Sequence, residues 1–384
     1  MKVPRKWLKA SLLLIILLLT LFITWQVVGY YQQWQAGQER QRRLKVRRQQ
    51  EKIAGRRQTL GLVQPQTTWG KQVDQQLQKA GYSGSALVID HDKPVLHKGY
   101  GWANQDKQIK NQPDSVYPLA SITKNLTAVM VIRALKQHHL SVDTKLARFY
   151  PKLAGSQTVT IKDLLTMMSG YQDVPFPKQM LSEKEFYRYV AQHTKYQGKP
   201  EQWHYKAVNY QLLAGVLYQL TGHSYTRNRE ATFGQYRLIG ADSYFKNDRH
   251  AIGYRNGHKL DVDSKYFRQE VATGNLMSSD WTAYQLVRDE LTGQLLTPSE
   301  FKTMTKPYPN ESYSGGLYSQ AKPAPYYLHG IMLGFESSIY IDQTGQRAVV
   351  LLSNHFNSKG RQNSDLAKQI YQTMLTNSHL SSFS

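Results

Sequence analysis

The chain contains no cysteine in 384 residues. That excludes disulfides, thiolate metal sites and a cysteine nucleophile together. It is also short of acid: 27 Asp and Glu stand against 49 Lys and Arg, a formal net charge of +22. A protein so basic suits a polyanionic surroundings such as membrane headgroups, nucleic acid or an acidic wall polymer. Half of the excess lies in residues 1–60, which hold 13 Lys and Arg but only Glu39 and Glu51. Beyond that region, 40% hydrophobic residues with 26 Gly and 14 Pro are the composition of a folded domain.

Long apolar runs are equally scarce, with one exception. After the basic tail 1–9, "ASLLLIILLLTLFITWQVVGY" runs without a charge. At about 1.5 Å rise per residue, such a helix crosses the roughly 30 Å core of a bilayer. Trp25, Tyr30, Tyr31 and Trp34 mark its far end, where aromatic rings prefer the interface. No small-x-small cleavage site follows. The expected organisation is a cytoplasmic tail 1–9, an anchor 10–31, a basic stem 32–66, a catalytic domain 67–376 and a tail 377–384. Lysine and arginine flank the apolar run on both sides, so charge alone does not orient it. The stem reads equally as a solvated spacer or as a polyanion-binding arm. Nucleic acid is a poor partner, because no recognisable binding module accompanies the basic arm.

The motif Ser-x-x-Lys occurs four times, at Ser121, Ser243, Ser299 and Ser319. By itself it singles out nothing. Ser121 differs by its context. Leu126, Val129, Met130, Ile132 and Leu135 follow at helical spacing. Ser121 and Lys124 therefore share one face near a helix N-terminus. A backbone N–H there is free to bind an oxyanion, and a lysine one turn along is placed to take the hydroxyl proton. Ser299 begins a polar helix, Ser319 precedes a loop, and no apolar helix follows Ser243.

Elsewhere "SGSALVIDHDKPVLHKGYGWAN" reads as two strands joined at "DHDK". "TIKDLLTMMSGY", "EKEFYRYVAQH" and "YQLLAGVLYQLTGHS" have helical spacing. "SSIYIDQTGQRAVVLLSNH" is a hairpin turning at 342–346, and "SDLAKQIYQTMLTN" is a closing helix. Strands, a helical block, strands and a final helix predict an α/β (α+β) fold. Its antiparallel sheet joins both ends of the domain, with helices on its flanks and an all-α insertion.

From about Tyr82 to Met374 this order resembles the serine β-lactamase and penicillin-binding-protein-like hydrolases, in their class C branch. The stretches that carry it are "GYGWAN", "YPLASITKNLTA", "LSVDTKLARFYPKL", "VTIKDLLTMMSGY", "WHYKAVNYQLLAGVLYQLTG", "ATGNLMSSDW" and "LGFESSIYIDQTGQRAVVLLSN". The resemblance implies Ser121 as nucleophile, Lys124 as base and Tyr205 as proton relay. The oxyanion would be held by the Ser121 N–H and by one from Gly330 or Ile331. No metal or cofactor is implied. Three departures bear on substrate. The family's Tyr-x-Asn reads Tyr205-Lys206-Ala207, with Asn209 two positions late. Its third motif, a cation two before glycine, reads Leu328-His329-Gly330, with His329 a candidate substrate contact. Met167 stands where the family often has histidine. A site without that cation and that amide suits an ester lacking a free carboxylate better than a penicillin or a peptide C-terminus.

The expectation is therefore a membrane-anchored extracellular serine esterase of a Gram-positive bacterium. Its substrate would be a cell-wall polymer, teichoic acid or a peptidoglycan stem. It is similar to the teichoic-acid D-alanyl esterase branch. The alternatives are a D,D-carboxypeptidase or weak β-lactamase, and a non-catalytic wall-polymer or muropeptide binder.

Overall fold

The computed structural model describes residues 59–200, 203–319, 325–360 and 362–380, together with Gln35. The chain divides into two compact units, 1–58 and 59–384. The tail, the anchor and most of the stem lie outside the described residues. Among the described residues no helix is long and apolar enough to cross a membrane.

The folded unit begins earlier than the 66/67 boundary expected from sequence. Val63 exchanges two backbone hydrogen bonds with His97, at 2.9 and 3.0 Å. "GLVQPQTT" shows no strand pattern, because it pairs at this one residue only. Helix α1 (Thr68–Lys79) follows, capped by the Thr67 hydroxyl. Strands β1 (Gly84–Asp90) and β2 (Lys93–Tyr100) form the expected hairpin. Helices α2 (Thr123–Gln137), α3 (Ile161–Leu165), α4 (Glu183–His193) and α5 (Val208–Thr221) make up much of the insertion. Helix α3 is shorter than its apolar spacing suggests, because Met167 at φ 58° turns the chain out of helix. Helix α5 ends where Gly222 adopts φ 68°, a conformation that costs a glycine little.

Helix α6 (Asp280–Leu291) leads back to the sheet. Strands β3 (Tyr313–Ser314), β4 (Leu317–Ser319), β5 (Tyr326–Met332), β6 (Phe335–Ile341) and β7 (Ala348–Ser353) complete it. The order is β3-β4-β5-β6-β7-β1-β2, and every pairing is antiparallel. The closing helix α7 (Asn363–Leu380) runs past the expected domain end at 376.

Both faces of the sheet are covered, which is why "AVVLL" in β7 does not alternate. Ala86, Val88, Val349 and Leu351 pack with Leu77 of α1 and with Ile370 and Met374 of α7. Leu87, Val350, Leu352 and Leu328 belong to the core shared with α2 and the other helices. The nucleophile helix thus lies against one face of the sheet, and the two terminal helices lie against the other.

Candidate active site

Ser121 occupies a 3₁₀ turn, Ala120–Ile122, that runs straight into α2. Sequence spacing places it at the start of the helix; the structure tightens that start. Ala120, just before it, is held at φ 47°, an uncommon conformation for a residue with a Cβ. Two short strands fix the approach: Tyr117–Pro118 pairs with Leu276–Ser278, and the Leu119 N–H donates to the Leu276 carbonyl at 2.9 Å. Among the described residues the Ser121 N–H has no backbone acceptor, so it is available to an oxyanion.

Lys124 is buried, and its Nζ lies 3.0 Å from Ser121 Oγ. The same Nζ donates to the Thr273 carbonyl at 3.2 Å. With one N–H committed there, the nitrogen is held against the serine hydroxyl, within reach of its proton. The Tyr205 ring covers Lys124, with Nζ 5.0 Å from its centroid. Tyr205 is 39% exposed and packs edge-on against Trp203 and Tyr313, at 5.9 and 6.0 Å. The structure therefore gathers Ser121, Lys124 and Tyr205, residues up to 84 positions apart in sequence. The other three Ser-x-x-Lys serines fall on a short helix (Ala241–Phe245), a capped helix (Pro298–Thr305) and β4.

Strand β5 closes the site. A Cβ on Gly330 would stand 2.6 Å from both Ser121 N and Leu119 O. The strand approaches the nucleophile turn as closely as a bare backbone allows. Among the described residues strand β4 pairs β5 at Tyr326 and Tyr327 only, and the β5 edge from Leu328 to Met332 has no strand neighbour on that side. That edge holds Gly330 and Ile331, the residues expected from sequence to offer the second oxyanion N–H. Side chains alternate along a strand. Leu328 and Gly330 face the nucleophile helix, and Leu328 is fully buried in its core.

His329 and Ile331 project the other way. This corrects the reading of His329 as a substrate contact. Its Nε2 meets Glu336 Oε1 at 3.1 Å on the α7 face. Glu336 also accepts from the Asn363 and Ser364 N–H groups at the start of α7. Burial opposes the charge on Glu336, but the His329 bond and these N–H bonds outweigh it and hold its pKa down. Asn209 is likewise spent internally. It is buried, its Oδ1 accepts from Ser169 Oγ at 2.5 Å, and its Nδ2 donates to the Lys206 carbonyl at 3.0 Å. It does not replace the amide lost at Ala207.

Two features escaped sequence reading. The Thr273 carbonyl is a backbone group with no side-chain signature. Glu290 of α6 is buried beneath α2 and accepts from Asn125 Nδ2 at 3.1 Å, next to Lys124 in the chain. Burial raises its pKa to about 8, against the lowering effect of the Asn125 bond. Among the described residues no group of three or more His, Asp or Glu could hold a metal ion.

The model of the Beta-lactamase family matches residues 69–372. The chain is 25% identical over 320 residues to the teichoic acid D-alanine hydrolase of Staphylococcus aureus (strain MRSA252), covering 79% of this chain and 77% of that protein. Its fold is similar to the crystal structure of FmtA from Staphylococcus aureus, with TM-score 0.71 and 22% identity over 85% of this chain and 95% of that one. It is also similar to D-amino acid amidase from Ochrobactrum anthropi SV3, with TM-score 0.69 and 17% identity over 82% of this chain and all (100%) of that one.

Proposed function

The chain belongs to the beta-lactamase family and is a serine hydrolase; on that premise we propose that it is an esterase acting on D-alanylated teichoic acid or a related wall polymer. Ser121 attacks the ester carbonyl while Lys124 and Tyr205 carry its proton. The Ser121 N–H and the free edge of β5 stabilise the oxyanion. The polymer alcohol leaves, and water hydrolyses the acyl-enzyme. The observation that carries this reading is the pairing of an assembled Ser121–Lys124 dyad with a buried leucine, Leu328, at the family's cation position. A carboxylate bound there would lose its water without gaining a charged donor. An ester without a carboxylate incurs no such cost.

The 25% identical relative bears the name of this activity, which supports the substrate class. The apolar run 10–31 supports an anchored enzyme; the similarity to a teichoic acid hydrolase supports an outward-facing domain, where a polyphosphate chain would meet the basic stem. The test incubates residues 59–384 and the Ser121→Ala variant with D-alanylated lipoteichoic acid and, in parallel, with a muropeptide ending in D-Ala-D-Ala. Release of D-alanine from the polymer by the wild type alone is expected. Release from the muropeptide only would transfer the reading to a carboxypeptidase. Release from neither by a folded protein would leave a polymer binder.

A further inference from the structure

We propose that Glu270 is the specificity residue for the acyl group, its carboxylate receiving a cationic amine beside the ester carbonyl. This rests on the esterase reading and adds the chemistry of the acyl half of the substrate.

Residues 270–275 form a tight turn. The Glu270 carbonyl accepts the N–H groups of Thr273, Gly274 and Asn275, at 3.0, 2.9 and 3.1 Å. Ala272 sits in it at φ 68°. The turn lays two successive carbonyls on the nucleophile helix: Ala272 accepts from Thr127 Oγ1 at 2.9 Å, and Thr273 accepts from Lys124 Nζ at 3.2 Å. On its other side the turn meets β5. A Cβ on Gly274 would lie 3.0 Å from Met332 Sδ and 3.3 Å from Glu270 Cβ. Met332 is two residues along from Gly330 on the same face, and Gly330 abuts Ser121 N. Glu270 therefore stands between the partner of the base and the strand that continues past the nucleophile.

Its carboxylate is half-buried and accepts one hydrogen bond, from Thr273 Oγ1. Among the described residues no Lys, Arg or His lies at ion-pair distance from it. A partly desolvated carboxylate with one neutral donor and lone pairs to spare favours a cationic ligand. Received there, an ammonium would meet an anion where a carboxylate-binding site offers a cation. Leu328 stands at the family's cation position, while the Glu270 carboxylate is tied to Thr273, the residue whose carbonyl meets Lys124 Nζ. A D-alanyl ester carries its ammonium one carbon from the carbonyl that Ser121 attacks.

The experiment compares phenyl D-alaninate with phenyl propionate, which differs by the amine alone. The full-length protein in detergent micelles and its Glu270→Gln variant are assayed for phenol release. Gln keeps an acceptor for the Thr273 hydroxyl. The ratio of kcat/KM for the two esters should fall about 10- to 100-fold in the variant, the range of a charge-assisted hydrogen bond. A ratio is independent of the folded fraction. In the wild type the same ratio should fall as pH rises past about 8, where an α-amine loses its proton; this arm needs no variant. An unchanged ratio, whatever the absolute rates, would overturn the proposal and leave Glu270 as a support of the Lys124 turn. A wild type inert towards both esters would instead overturn the esterase reading itself.

Discussion

Replacing Gly330 by alanine tests the central geometric claim, that β5 must touch the nucleophile turn. The new Cβ would meet Ser121 N and Leu119 O at 2.6 Å and Ala120 Cβ at 2.9 Å, whereas ordinary contact begins at 3.4 Å. Two of the three neighbours are backbone atoms, so no side chain can swing aside. Strand and turn must separate by about 0.8 Å. Overpacking of this kind costs about 1–3 kcal/mol, which a domain with about 5–15 kcal/mol of stability survives. The catalytic loss is larger, because both oxyanion donors lie on the surfaces that are forced apart. A displacement of about 1 Å at a reacting centre costs about 100-fold in rate. The expected result is a folded protein whose kcat for ester hydrolysis falls about 100-fold while KM changes little, since the lost contacts form in the transition state. The assay is steady-state hydrolysis beside a urea melt of the same sample. A folded variant within about threefold of wild-type kcat would refute the reasoning, because the close approach would then have no catalytic purpose.

Two further outcomes follow from buried charge. Both ring nitrogens of His97 face acceptors, Asp280 at 2.9 Å and the Gly61 carbonyl at 2.8 Å, so both must carry hydrogen. Burial works against the imidazolium, but Asp280 prevails and raises the pKa above 6.5. The resulting stability is complete below pH 6.5 and is lost as pH rises through the folded value. Urea melts of His97→Gln should therefore show their largest deficit near pH 6 and a smaller one in alkali, and a deficit independent of pH would contradict the imidazolium. Glu290 behaves in the opposite sense. The folded protein keeps its proton to about pH 8, whereas an unfolded glutamate releases it near 4.5, so stability falls as pH rises between them. Glu290→Gln should remove that slope and be the more stable form at pH 9; a variant less stable than wild type at pH 9 would show that the carboxylate is paired when charged.

Local order was legible in the sequence, because it is written in periods of two and 3.6 residues. The β1–β2 hairpin, the turn after Ile341, helix α4 and the apolar face behind Ser121 all follow from their own residues and appear where those residues place them. The Ser121–Lys124 pair belongs to the same class, since three residues on one helix are neighbours whatever surrounds them. The rest depends on segments far apart in the chain. Whether His329 serves the cleft was decided by the parity of β5, which Gly330 fixes by being the residue with no Cβ to collide with Ser121. Whether Asn209 is free was decided by Ser169, forty positions away. The partner of Lys124 is a carbonyl, and every residue has one. A sequence specifies which side chains exist and how they repeat; which backbone group meets which side chain across the fold is settled only when the chain closes upon itself.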